Sequence, residues 1–186
     1  MSRMLDTTDD SGLAAAALRG DREAFARLVE RHYDRVYRVA HRILGSAADA
    51  EDVAQEVAIA LAEKLPHFRQ ESRFSTWVVA IAINRCRDML RRRKSSAALA
   101  ERYVVLRAAE EADAADTEAR VAWLNEALQG LEPDLRETVT LVLGEALSHA
   151  EAGKILGCAE STVSWRMHKA RKALQAFGAR LDVSDG

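Results

Sequence analysis

Basic side chains are concentrated in two short segments of this 186-residue sequence. The ten residues from Arg85 to Lys94 include six basic and one acidic side chain, and the segment from Glu160 to Arg180 includes five basic and one acidic. Lys and Arg clustered in this way neutralise phosphate groups, so both segments are candidate nucleic-acid contacts. Acidic side chains form a separate cluster at Asp49, Glu51, Asp52, Glu56 and Glu63. The formal net charge of −2 is therefore an average over faces that suit different partners.

Residue types that could support catalysis or bind a metal are present but scattered. The five histidines are His32, His41, His67, His149 and His168. None belongs to an HExxH, nucleophile-elbow, P-loop or paired-carboxylate motif. The two cysteines, Cys86 and Cys158, cannot complete a four-ligand zinc site by themselves. We therefore expect a protein that is not an enzyme and has no catalytic residue, metal or cofactor. The cysteines could report redox state, but packing is the favoured interpretation.

The composition predicts an all-helical protein. The chain has only 9 Gly and 2 Pro, which leaves few turn residues, whereas 48% of its residues are hydrophobic. The longest unbroken apolar run, Trp77 to Ile83, is far shorter than the ~20 residues that cross a bilayer. We therefore expect no membrane insertion. The acidic N-terminal segment lacks the apolar core of a signal peptide, which predicts a cytoplasmic protein.

Helical periodicity divides the N-terminal half of the chain into three predicted helices. Apolar residues recur at helical spacing over residues 21–44, and again over residues 50–65, after which a proline stops the second helix. A polar loop over residues 67–73 follows, and Ser75 or Thr76 begins a third helix that ends in the basic segment. This half should fold as one helical domain.

A tight pair of helices closes the C-terminal half. Residues 95–118 have no strong apolar stripe and are predicted to form a flexible linker. Short helices follow it, and then Ser148 with Glu151 three residues later forms a capping box for a helix that ends at Gly157. After a turn of three or four residues, a last helix carries basic residues on its outer face. Two helices joined in this way are typical of a helix-turn-helix.

The last helix would present its polar face to the major groove of DNA. We expect bases to be contacted by Ser164, Trp165, His168 and Lys169. We expect phosphates to be contacted by Arg166, Arg171 and Lys172. A merely solvated charged face is the alternative, but an outward tryptophan has no reason to be exposed on such a face.

Four segments of the sequence together resemble a known family. They are DREAFARLVERHYDRVYRVAHRIL, ADAEDVAQEVAIALAEKL, FSTWVVAIAINRCRDMLRRRK and LSHAEAGKILGCAESTVSWRMHKARKAL. In this order and spacing they resemble the sigma factors of bacterial RNA polymerase, in particular the extracytoplasmic-function (ECF) subfamily. The resemblance implies an all-α fold of two small helical domains joined by a flexible linker. It implies a tail at residues 1–19, a sigma region 2 domain at 20–94, the linker at 95–118 and a region 4 helix-turn-helix domain at 119–182.

The resemblance also implies a role for each matching residue. The segment like DAEDVAQEV docks on the β′ clamp helices in this family, which implies polymerase contacts at Asp49, Glu51, Asp52, Gln55 and Glu56. The segment that begins FSTW, with the loop before it, recognises and opens the minus-ten promoter element. The residues implied there are Phe68, Phe74, Trp77, Asn84, Arg85, Asp88, Arg91 and Arg92. The helix-turn-helix holds the minus-thirty-five element. The residues implied there are Ser161, Thr162, Ser164, Trp165, Arg166, His168, Lys169, Arg171 and Lys172.

The partners implied by the resemblance are core RNA polymerase, through its β′ clamp helices and β flap, promoter DNA and an anti-sigma factor. The implied function is transcription of a stress or envelope regulon. A DNA-binding regulator that does not engage polymerase is the alternative, but it would need an effector or dimerisation domain in place of residues 20–94. Relatives commonly have Ile-Ala where this chain has Ala152 and Gly153, and a basic residue then Ser where it has Ser164 and Trp165. We expect looser packing from the first departure and an altered reading face from the second.

Overall fold

All regular elements are helical in the part of the chain that a computed structural model describes, residues 9–99 and 117–182. The N-terminal helices are α1 (Asp10–Leu18), α2 (Arg22–Leu44), α3 (Ala47–Lys64), a 3₁₀ turn (Leu65–His67) and α4 (Phe74–Leu99). The C-terminal helices are α5 (Thr117–Gln129), α6 (Pro133–Val139) with a π-helical turn (Thr140–Gly144), α7 (His149–Leu156) and α8 (Glu160–Asp182). The all-α prediction is confirmed.

The chain forms two units, and the division between them falls near the end of α2 and again within α4. Unit 1 comprises Met1–His41 with Ser46–Arg87, and unit 2 comprises Arg42–Gly45 with Asp88–Gly186. The linker predicted for residues 95–118 overlaps the end of α4 and the start of α5, and its residues 100–116 lie outside the described residues.

The segment predicted as an N-terminal tail contains a helix. The carboxylate of Asp9 accepts a hydrogen bond from the backbone N–H of Gly12 at 2.7 Å and caps α1. Leu13 and Ala14 are buried, at 4% and 1% exposure. An alanine-rich segment without an amphipathic stripe gives no sequence signal for burial. The formation and burial of α1 therefore depend on tertiary contacts, which the sequence pattern does not reveal.

The core of unit 1 is an apolar layer contributed by α2, α3 and α4. Its buried side chains include Leu28, Val36, Val53, Val57, Val78 and Ile83. On α2 the buried line runs 28, 32, 36 and 39, so His32 occupies a core position at 4% exposure, whereas Tyr33 lies at the half-exposed edge. Val53 and Val57 place one side of α3 in this core.

The predicted helix-turn-helix forms with its predicted boundaries. Ser148 and Glu151 make a reciprocal capping box at the start of α7, with the Ser148 N–H donating to Glu151 Oε2 at 2.9 Å. Gly157 ends α7 in the left-handed conformation, at φ 68°. Val163 and Ala170 of α8 are fully buried and hold the second helix against the first.

Gly153 of α7 is a point of close approach, not of loose packing. A Cβ at this position would lie 2.8 Å from the backbone oxygen of Cys158. The Cys158 N–H donates to the Gly153 carbonyl at 3.0 Å, so the turn folds back tightly onto the helix. The expectation that this glycine loosens the first helix is wrong, because the absent side chain lets the turn pack closely.

No helix among the described residues is long and apolar enough to cross a membrane.

Candidate nucleic-acid interface

The outer face of α3 carries the acidic cluster. Asp52 and Gln55 are exposed, and the other three predicted polymerase contacts, Asp49, Glu51 and Glu56, are partly exposed. The opposite side of the helix contributes Val53 and Val57 to the core. The face is therefore accessible to a partner without any rearrangement of α3.

Two hydrogen bonds hold Glu51 in place on this face. The hydroxyl of Tyr33 donates to Glu51 Oε1 at 2.7 Å, and Gln55 Nε2 donates to the same oxygen at 3.2 Å. The Tyr33 bond, assisted by Gln55, lowers the pKa of the Glu51 carboxyl, and the same Tyr33–Glu51 bond raises the pKa of Tyr33. Glu56 lies 3.8 Å from the guanidinium of Arg85 on α4. Glu51 and Glu56 are thus oriented by neighbouring side chains.

An apolar side chain lies among these acids. Ile59 of α3 is 72% exposed, the largest exposure among the described large apolar side chains. It follows Asp52 by seven residues and Gln55 by four, so it shares their face of the helix. Ile59 is not among the residues predicted from the sequence, although its spacing, which excludes it from the buried stripe of α3, indicates an outward position.

Three aromatic residues predicted to contact the minus-ten element pack against one another. The ring centroid of Phe68 lies 5.2 Å from that of Phe74 and 5.1 Å from that of Trp77. Phe68 and Phe74 are only 9% and 3% exposed, and Trp77 is partly exposed. As the structure stands, neither phenylalanine offers a face to an unstacked base, because each is enclosed by the other rings. Phe68 directly precedes and Phe74 directly follows residues 69–73, the loop that joins the 3₁₀ turn to α4, so their contact brings the two ends of this loop together.

That loop, residues 69–73, is exposed throughout. Gln70 has φ 57°, a left-handed conformation that a residue other than glycine adopts at a cost. Backbone strain in an exposed loop is a feature found at binding sites.

The polar residues predicted for the minus-ten element follow along α4. Asn84 is exposed, and Arg85 is partly exposed beside Glu56. Further along, Arg91 donates to Asp88, and Arg92 is exposed.

The outward face of α8 is a continuous exposed strip. Its members recur at helical spacing on the side opposite Val163 and Ala170, and they are Ser161, Ser164, Trp165, His168, Lys169 and Lys172. Arg171 is also exposed, whereas Thr162 is partly buried. Most of the predicted minus-thirty-five residues thus share one accessible surface, which we name the reading strip.

Ser164, one member of the strip, is engaged within the domain. Its hydroxyl donates to the Glu160 carbonyl at 3.2 Å and lies 2.8 Å from Nδ1 of His149 on α7. Because a hydroxyl has one proton, both bonds form together when His149 Nδ1 carries the proton. His149 therefore ties the first helix of the motif to the second.

Arg166 does not lie on the strip. Its Nη2 donates to Asp134 Oδ2 at 2.5 Å, and its Nη1 lies 3.9 Å from the Cys158 sulfur. Its side chain is 16% exposed. The guanidinium predicted to meet phosphate is used inside unit 2, a pairing over 32 residues that the sequence pattern does not reveal.

Trp165 and Lys169 form a pair at the centre of the strip. The ammonium of Lys169 lies 4.5 Å from the centroid of the Trp165 ring. This is cation–π geometry between residues one helical turn apart.

No group of three or more His, Cys, Asp or Glu side chains that could hold a metal ion occurs among the described residues.

Two family models match the chain in consecutive parts. Sigma-70 region 2 matches residues 28–96 and sigma-70 region 4 matches residues 122–174. The ECF sigma factor SigM of Mycobacterium tuberculosis is 34% identical over 89% of this chain and 82% of its own length. SigE of Mycolicibacterium smegmatis is 35% identical over 92% of this chain and 69% of its own length.

Solved structures are similar over most of the chain. CnrH in complex with the cytosolic domain of CnrY is similar with a TM-score of 0.70 and 26% identity, over 92% of this chain and 97% of that one. RpoE in complex with the anti-sigma factor NepR from Bartonella quintana has a TM-score of 0.72 and covers 82% of this chain and 94% of that one. At 22% identity, this second likeness supports the fold alone.

Proposed function

Because this chain belongs to the ECF group of bacterial RNA polymerase sigma factors, we propose that it initiates transcription by joining core polymerase to promoters through four surfaces. The observation that carries the proposal is the capped helix-turn-helix with its exposed reading strip, in a chain whose other half carries a separate acidic face. Such a factor contributes binding and DNA opening, while polymerase supplies the catalysis. We place it in the cytoplasm, where polymerase acts, with region 2 at residues 20–94 and region 4 at residues 119–182.

The acidic face of α3 is the proposed contact with the β′ clamp helices. Asp49, Glu51, Asp52, Gln55 and Glu56 supply its polar part. The exposed Ile59 adds an apolar centre, because interfaces place apolar anchors among polar contacts. The Tyr33–Glu51 bond supports this role, since an oriented carboxylate loses less entropy when a cation approaches.

The loop at residues 69–73 and the exposed edge of α4 are the proposed minus-ten contact. The buried Phe68 and Phe74 hold the two ends of the loop together, and the partly exposed Trp77 packs against both rings. Asn84 and Asp88, one turn apart on α4, would read the displaced bases. Arg85, Arg91 and Arg92 would follow the phosphates of the open strand.

The reading strip of α8 is the proposed minus-thirty-five contact. Ser161, Trp165, His168 and Lys169 face the bases, with Ser164 and Thr162 at the margin. Arg171 and Lys172 contact phosphate. Arg166 supports the strip through its bond to Asp134.

An apolar groove in unit 2 is the proposed seat of the β flap. It has a volume of about 290 Å³ and is lined by Val139, Leu143, Met167 and Leu174, among others. Leu143 is 66% exposed at its edge. A helix from the polymerase could bury its apolar face there.

Control by an anti-sigma factor is also proposed. CnrH, a solved structure that is similar to this chain, was determined in complex with the cytosolic domain of CnrY. A protein that covers the acidic face or the apolar groove would keep this chain from polymerase. Release of such a partner would start transcription of a stress or envelope regulon.

In vitro transcription tests the proposal. Core polymerase with this protein, given a promoter library, should produce transcripts that core polymerase alone does not. Sequencing of the active templates should show two conserved elements. A pull-down with core polymerase separates this function from that of a regulator that binds DNA alone. Retention of DNA binding with no capture of core polymerase would contradict the proposal.

A further inference from the structure

The reading strip contains one side chain of a different kind from the rest. Trp165 is 55% exposed, and it is the one exposed large apolar side chain on the described part of α8. Its neighbours on the strip are hydroxyls, an imidazole and ammonium groups. An indole left in water forgoes the free energy of burying its apolar surface, and a partner that covers it recovers that free energy.

In the major groove, few groups can cover an indole. The base edges there present hydrogen-bond donors and acceptors, and the apolar group among them is the C5-methyl of thymine. Polar contacts to phosphate and sugar would not bury the indole ring. The chemistry of the groove therefore favours a thymine methyl opposite Trp165.

Lys169 holds the indole ready for such a contact. Its ammonium lies 4.5 Å from the ring centroid, so one face of the ring is covered and both side chains are restrained. Side chains ordered before binding lose less conformational entropy when DNA arrives. The restraint leaves the uncovered face and edge of the ring for the base.

The adjacent side chains do not replace Trp165 in this role. The Ser164 hydroxyl donates its proton to Glu160 and meets His149. Arg166 is bound to Asp134, away from the strip. At this level of the helix, the indole is therefore the group that reaches outward.

We propose that Trp165 is a specificity-determining residue that reads the 5-methyl group of a thymine in the minus-thirty-five element. The inference rests on the proposed minus-thirty-five role of α8. It adds the ligand chemistry, a 5-methylpyrimidine, so a 5-methylcytosine placed at the same position should satisfy the indole as well.

Replacing thymine by deoxyuridine removes only the methyl group, and this provides the test. Binding of the reconstituted holoenzyme is measured on a promoter selected from the library, with each thymine of the minus-thirty-five element replaced in turn on either strand. At one position the wild-type affinity should fall about fourfold, the factor that corresponds to the ~0.8 kcal/mol of one methylene-sized apolar group. At the same position, 5-methylcytosine should bind better than cytosine.

Variants at position 165 test whether the indole makes this contact with the methyl group. Trp165→Ala should bind both thymine and deoxyuridine templates with equal affinity, whereas Trp165→Phe should keep part of the difference. Lys154→Met is the matched control, since it removes an ammonium at an exposed position of α7 outside the reading strip and should retain the sensitivity to deoxyuridine. Thermal unfolding of each variant shows that the fold is intact.

Two results would overturn the inference. One is a wild-type holoenzyme that binds every deoxyuridine template as tightly as its thymine parent. The other is a Trp165→Ala holoenzyme that shows the same deoxyuridine effect as wild type. Failure of the proposed function looks different, because the wild-type protein would then give no promoter-specific transcripts at all.

Discussion

Arg166 of α8 is bonded to Asp134 at the start of α6, with Nη2 and Oδ2 2.5 Å apart. The bond joins the helix-turn-helix to the helix that precedes it, and Asp134 also lies in the first turn of α6, where an acid is favoured by the helix dipole. A cation placed in this way contributes to the stability of the domain more than to its affinity for DNA.

Arg166→Ala should therefore separate stability from DNA binding. We expect a loss of about 1 kcal/mol in the free energy of unfolding, because a charged pair at a partly exposed site contributes about that much. The slope of log K against log salt concentration should stay near the wild-type value. Lys172→Ala, at an exposed position of the strip, should lower that slope by about 1. An equal drop in slope for both variants would contradict the assignment.

Lys169→Ala tests whether the ammonium over the indole contacts a base. We expect weaker promoter binding and relaxed preference at one position of the minus-thirty-five element, by ~1–3 kcal/mol, because a specific base contact is worth that much. The measurement is affinity across a set of single-base promoter variants. An equal loss on every variant would make Lys169 a phosphate contact.

Ile59→Ala tests the apolar centre of the proposed polymerase contact. Truncation of a side chain that becomes buried on binding should weaken the affinity for core polymerase by about tenfold or more, since burial of an isoleucine contributes ~1.5–3 kcal/mol. The residue is 72% exposed in this structure, so the stability of the chain should be nearly unchanged. Leu18→Ala, at a leucine on α1 that is 49% exposed, is the matched control. If both variants bind core polymerase like the wild type, Ile59 is not part of the interface.

Local signals in the sequence are sufficient to predict the helix-turn-helix and the boundaries of its first helix. The capping box of Ser148 and Glu151 and the left-handed Gly157 are set by residues a few positions apart, so the pattern predicts the boundaries of α7. Contacts between distant residues could not be predicted in this way. Arg166 pairs with a residue 32 positions away in the sequence. Its position in the helical pattern of α8 is equally compatible with a side chain that faces solvent or DNA.

Helical periodicity also failed to predict which residues are buried at the edge of the apolar stripe on α2. On α2, position 32 and position 33 lie within the same broad sector of the helix, so the pattern favours the more apolar Tyr33 as the buried residue. The structure buries His32 instead, because Asp10 of α1 supplies a partner for its ring nitrogen. The helix that carries Asp10 was itself not predicted.

Gly153→Ala should destabilise the helix-turn-helix in spite of the higher helix propensity of alanine. The added Cβ would lie 2.8 Å from the Cys158 backbone oxygen, and a backbone atom cannot move aside as a flexible side chain does. We expect a loss of about 1 kcal/mol or more in unfolding free energy, since overpacking commonly costs ~1–3 kcal/mol. In Gly130→Ala, the matched control, the nearest atom is 3.5 Å from the new Cβ, and stability should change little. A Gly153→Ala variant that melts at or above the wild-type temperature would contradict this prediction.

His32 couples the stability of unit 1 to pH. Its Nε2 lies 3.0 Å from Asp10 Oδ2, and its ring centroid is 5.2 Å from that of Phe74. Burial lowers the pKa of this histidine and outweighs the raising effect of Asp10, while Arg35 and Arg31 lower it further. The neutral ring therefore donates to the Asp10 carboxylate in the folded protein.

The free energy of unfolding should consequently fall as the pH drops below the ordinary histidine value of ~6.5. The unfolded chain takes up a proton there, whereas the folded chain binds it only at lower pH, so acid favours the unfolded state. Chemical denaturation between pH 5 and pH 8 measures this loss. His32→Gln, which keeps a nitrogen donor near the Nε2 position, should be less stable at pH 8 but should show a flatter pH profile. His168→Gln, at an exposed position, is the matched control and should keep the wild-type profile. A His32→Gln profile as steep as that of wild type would show that another group carries the pH dependence.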